Sequence, residues 1–143
     1  MVIAMKRSLE RKLVMTGAIW NLFTALMTLF GYYRWFNDAG VQALEGSNAD
    51  LAIVGTSLMG NVSRVILAFG LFMFVMAIIN FLVGVHLKDN QIQKRTMIWL
   101  ALWAVIQLAS MDVVGFLIYM LAFVFYFAKN KAIRMNNKSY KTA

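Results

Sequence analysis

Apolar residues form three blocks, at residues 13–36, 65–86 and 97–128, separated by two polar stretches. With a rise of about 1.5 Å per helical residue, the first block is about 36 Å long, enough to cross a hydrocarbon core of about 30 Å with some tilt. The second carries no charge until His86 and Lys88 and is also a full-length span. The third, at about 48 Å, is too long for one crossing and must fold back. Asp112 is its only charge before Lys129, so Ser110-Met111-Asp112 is the predicted turn between helices 97–111 and 113–128. These would be only about 22 to 24 Å each. Such a hairpin either thins the bilayer around it or is re-entrant.

The pattern predicts an all-α, polytopic membrane protein: a four-helix transmembrane bundle with a short hairpin of third and fourth spans, forming one membrane domain over residues 1–143. Residues 37–63 are expected as an external loop, with one or two short helices on the bundle's mouth. Residues 129–143 are expected as a cytoplasmic tail. The basic stretch before the first span also resembles the start of a signal peptide, but the apolar run that follows is too long for its core.

Composition agrees with membrane residence: 62% of residues are apolar, mean hydropathy is +0.69 and only 14% are charged. The net charge of +8 would point to nucleic acid in a soluble chain, but here its position decides its meaning. All Lys and Arg except Arg34 and Arg64 fall on one side of the expected spans, which marks that side as cytoplasmic and puts both termini there. The basic excess is therefore a topology signal, with no nucleic-acid partner implied. The acid-free tail after Ala128 is expected to attract anionic lipid, at about 1 kcal/mol per basic residue. Without cysteine the chain has no disulfide and no thiolate site, unlike claudin and tetraspanin-like proteins.

In lipid, small and polar residues mark where helices touch. Gly17, Asn21, Thr24, Thr28 and Gly31 form such a stripe in the first span, and Gly70, Met73, Ala77, Asn80 and Gly84 form one in the second. Both have heptad spacing, which implies a left-handed crossing near 20°. An antiparallel register sets Gly17 against Gly84, Asn21 against Asn80 and Gly31 against Gly70. The two asparagines are then expected to hydrogen-bond across the seam or to line a polar passage. Asp112 either caps the fourth helix or pairs with Arg34 or Arg64, the two outward basic residues. Trp99, Trp103 and Gln107 form a stripe on the third span, and Tyr119 and Tyr126 one on the fourth; both read as packing or interfacial anchoring.

No catalytic motif, intramembrane carboxylate pair or metal-ligand cluster is visible, so the sequence points to no enzyme activity, cofactor or metal. The start Met5-Lys6-Arg7-Ser8-Leu9-Glu10, the inner turn 88–94, rich in Asn and Lys, and the basic end Phe127-Ala128-Lys129-Asn130-Lys131 resemble a domain-of-unknown-function family of small four-span membrane proteins in Gram-positive bacteria. That resemblance implies architecture without an activity. The expected function is a non-catalytic accessory, scaffold or regulatory partner of another component of the cell membrane, including an immunity or envelope-stress role. The alternative is a small homodimeric transporter, with Asp112 and Asn21 as its only polar resources. Expected partners are the bilayer and another membrane protein or further copies of this chain.

Overall fold

The computed structural model describes residues 4–142 and is all-α, with no strand among them. The elements are α1 (Ser8–Leu26), a π-helical segment (Met27–Tyr32), α2 (Tyr33–Leu44), α3 (Ala49–Val85), α4 (Lys94–Ala109) and α5 (Val113–Thr142). Three helical stretches, Ser8–Leu44, Ala49–Val85 and Val113–Thr142, are long and apolar enough to cross a membrane. At 16 residues, α4 is about 24 Å long, short of a typical core.

Two segments hold more helix than the sequence suggests. Residues 37–63 are not a loop: helix runs through Leu44, turns over residues 45–48 and resumes at Ala49. The turn falls on three consecutive turn formers, Gly46, Ser47 and Asn48, where the Ser47 hydroxyl donates to the Leu44 carbonyl at 2.8 Å. The flanking residues are proline-free and semi-apolar, so continuing the helix satisfies their backbone groups at no steric cost. Residues 129–142 are likewise helical, as the end of α5. The chain divides into two compact units, one made of the residues up to Trp20 and from Ile79 onward, the other of Asn21–Ile78.

The second unit is an antiparallel pair in which three glycines, Gly40, Gly55 and Gly70, each receive a larger side chain from the opposite helix. Gly40 faces Met59 and Gly55 faces Leu44. A methyl group on Gly70 would lie 2.8 Å from Leu29 and 3.3 Å from Thr28. Gly31, expected on this seam, is exposed. The π segment explains the difference: Tyr33 N–H donates to the Thr28 carbonyl, five residues back, and this wider turn rotates the stripe off its face. The Thr28 hydroxyl donates to the Thr24 carbonyl at 2.9 Å, and both threonines are half-buried.

In the first unit, Gly84 packs on Met15 and Val14, with methyl-to-side-chain distances of 3.1 and 3.3 Å. The partners of Gly84 and Gly70 therefore lie two to three positions before the predicted Gly17 and Gly31. Small residues opposite one another would leave a void, whereas a knob from the partner fills it. Gly17 receives a different knob, the Tyr119 ring of α5, 2.7 Å from where its methyl would be. All five α3 stripe residues are buried, as are Gly17 and Asn21 of α1.

The turn joining α4 to α5 falls where the sequence predicts it. Asp112 N–H donates to the Gln107 carbonyl and Met111 N–H to the Leu108 carbonyl, both at 3.0 Å, while Met111 has φ 60°. That is a Schellman helix end with a methionine in the left-handed position usually held by glycine.

Candidate functional site

The most concentrated polar chemistry lies at the start of α1, the end of α3 and the middle of α5, all in the first unit, in what we term the inner cluster. Arg7 and Glu10 are both fully buried. The Arg7 guanidinium lies over the Tyr126 ring, 3.9 Å from its centroid, and donates to the Gln91 carbonyl at 2.7 Å and to Asn130 Oδ1 at 2.5 Å. Glu10 has an oxygen 3.8 Å from Arg7 Nη1, and its other oxygen accepts from Lys129 Nζ at 2.7 Å. Lys129 also donates to the Lys6 carbonyl.

The α3–α4 turn is fastened into this cluster. Asp89 Oδ1 accepts the Arg7 backbone N–H at 2.7 Å, and Arg11 donates to the Leu87 carbonyl and lies 3.9 Å from Asp89. The Tyr126 hydroxyl accepts from Gln93 N–H at 3.0 Å and donates to its carbonyl at 3.3 Å. Cation–π contact, a paired carboxylate and charge-assisted bonds together offset the desolvation of a buried guanidinium.

A second polar string runs deeper through the same unit. Asn80 Oδ1 accepts the Trp99 indole N–H at 2.8 Å. Trp99 stacks on Trp103 with centroids 6.5 Å apart, and Trp103 meets Tyr119 edge-on at 6.4 Å. Further along, the Trp20 indole N–H is shared by both Asp112 oxygens at 3.0 Å, and Oδ1 also accepts Gly115 N–H at 2.9 Å. Asp112 is thus an N-cap of α5, one of its two predicted roles. Glycine at 115 is required by crowding, since a methyl there would lie 2.6 Å from Asp112 Oδ2 and 2.9 Å from Gln107 Oε1.

The aromatic stripes of α4 and α5 therefore meet, consistent with packing. Asn21 is buried on α1. In the second unit Arg64 lines a cleft of about 350 Å³ with Tyr33 and Asn37, whose Oδ1 accepts the Ser63 hydroxyl at 2.6 Å, while Arg34 is exposed on α2.

Sequence reasoning missed the inner cluster because Arg7 and Lys129 were counted only as topology charges. Its signal was Glu10, a lone acid among the basic residues flanking the first span, three positions after Arg7 and on the same helical face. No group of three or more His, Cys, Asp or Glu able to hold a metal occurs among the described residues. Neither a family model nor a curated protein nor a solved structure matches the chain.

Proposed function

We propose that this protein is a non-catalytic, four-span accessory component of the cell membrane, with both termini cytoplasmic, that docks another membrane protein through its outer helical hairpin. In this reading α4 makes the third of the four crossings despite its length, and the family resemblance agrees with that architecture. The supporting observation is the apolar surface on residues 33–64. α3 has 37 residues and is about 55 Å long, so about 25 Å of it extends beyond a core of about 30 Å. The charge-free stretch before His86 occupies that core, which leaves the end that begins at Ala49 projecting.

Trp35, Leu51, Ile53, Val54 and Leu58 on this projecting pair are each more than half exposed. A clustered apolar surface in water is unfavourable by about 25 cal/mol per Å², and such patches mark interaction sites. By contrast, the buried charges of the inner cluster bind one another, which suits a rigid scaffold.

The experiment is photo-crosslinking in native membranes from probes at Leu51, Val54 and Leu58, followed by mild-detergent purification and mass spectrometry. A stoichiometric, different membrane protein crosslinked at these positions and not from Lys138 is the expected result. Recovery of this chain alone would overturn the accessory reading in favour of a homo-oligomer.

A further inference from the structure

We infer that the α4–α5 hairpin carries a specific seat for one anionic phospholipid, with the headgroup phosphate at its inner end and an acyl chain along its lipid-facing groove. This site does not rest on the docking reading above. Lys94 at the start of α4 and Lys131 and Arg134 on α5 line a cleft of about 320 Å³. Ile92 and Phe127 form its apolar wall, and no carboxylate is among its lining residues.

Asn130 gives the cleft a built polar group. It is 4% exposed, its Oδ1 is held by Arg7, and its Nδ2 meets only the Met97 sulfur, at 3.9 Å. A thioether is a weak acceptor, so this amide N–H is available to a phosphate oxygen. The α4 N-terminus has no side-chain cap at Gln93, so its first backbone N–H groups add positive potential beside Lys94.

A lipid is favoured over a soluble anion by what adjoins the cleft. Met97 lines both this cleft and an apolar groove of about 440 Å³. The groove continues over Ala101, Leu102 and Val105, with Phe123 opposite. Positions 94, 97, 101 and 105 follow one face of α4, and 134, 131, 127 and 123 one face of α5, so a cationic mouth leads directly into an apolar channel. From Met97 to Val105 the groove is about 12 Å long and lined by apolar side chains throughout, which suits an acyl chain and offers a free phosphate no partner.

The test is native mass spectrometry of the full chain in mild detergent with phosphatidylglycerol, phosphatidylcholine or inorganic phosphate added. Phosphatidylglycerol should bind with one-to-one stoichiometry, and the double variant K131Q/R134Q should bind it about tenfold more weakly, equivalent to about 1.4 kcal/mol. The variant K138Q/K141Q, which removes the same charge outside the cleft, should bind as the parent does. Ala101→Phe fills the groove without changing charge and should also weaken binding. Circular dichroism on each variant separates lost binding from lost fold, since Lys131 and Arg134 are exposed. Equal weakening by K138Q/K141Q would mean diffuse attraction and overturn the site. Equal binding of phosphatidylcholine, or full displacement by inorganic phosphate, would overturn it as an anionic-lipid seat.

Discussion

Glu10 of α1 and Lys129 of α5 form a 2.7 Å ion pair across 119 residues of sequence, with Glu10 fully buried and the Lys129 side chain 29% exposed. The asymmetry matters because Glu10 has a second partner, so removing Lys129 leaves the carboxylate beside Arg7, whereas removing Glu10 strands a buried guanidinium. Arg7, also fully buried, depends on the same carboxylate.

Glu10→Gln should therefore cost more than Lys129→Gln. Leaving the buried Arg7 charge uncompensated costs about 3 kcal/mol or more, while Lys129→Gln, which leaves Glu10 facing Arg7 at 3.8 Å, costs about 1 kcal/mol. Unfolding of the two variants in detergent micelles measures the difference. Equal losses would mean that Glu10 does not stabilise Arg7.

Two glycines that look alike in the sequence should behave in opposite ways. Gly17→Ala would set a methyl 2.7 Å from Tyr119 Cζ in a side chain with no exposed surface, an overpacking cost of about 1 to 3 kcal/mol. At Gly31 the nearest atom to a methyl is Met27 Cε at 3.7 Å, and the residue is exposed, so Gly31→Ala should be neutral or stabilise by about 0.5 kcal/mol. The same unfolding measurement on both variants checks the pair.

The α4–α5 turn predicts changes of both signs. Met111 is 87% exposed with φ 60°, so its side chain contributes little and its backbone is strained. Met111→Gly should stabilise by about 1 kcal/mol. Asp112→Ala should destabilise by about 1 to 2 kcal/mol through loss of the cap to Gly115, whereas Asp112→Asn, which keeps a capping oxygen, should lose less than half of that. Thermal unfolding in detergent ranks the three, and an Asn variant as damaged as the Ala variant would show that the carboxylate charge, not the cap, is what matters.

Legibility in the sequence followed the strength of the local signal. The turn at 110–112 was readable because one charge and one cap residue interrupt a long apolar run. The α3 stripe was readable because glycine and asparagine have few other uses in a buried helix. The partner register was not, because a knob filling the space beside a glycine leaves no pattern of its own, and the π segment shifts the α1 stripe with no proline to announce it. The inner cluster was obscured for a different reason. A positive residue near a membrane boundary carries topology and chemistry at once, and only Glu10 distinguished the second use.

Orientation and span number are tested together by cysteine labelling, for which a chain without cysteine is a clean background. Ser47→Cys lies in the turn between α2 and α3, Ser110→Cys at the α4–α5 turn and Ser139→Cys near the end of α5. With both termini cytoplasmic and four crossings, a membrane-impermeant maleimide should label Ser47→Cys in intact cells and Ser139→Cys only after permeabilisation. Ser110→Cys is the informative position, because α4 is only about 24 Å long. Labelling from outside at a rate near that of Ser47→Cys means that the hairpin crosses and the bilayer thins around it. Protection on both faces would make the hairpin re-entrant, leaving two full crossings and a tail still on the cytoplasmic side. Labelling of Ser139→Cys in intact cells would overturn the charge-based orientation, since it would put Lys131, Arg134, Lys138 and Lys141 on the side from which basic residues are normally excluded.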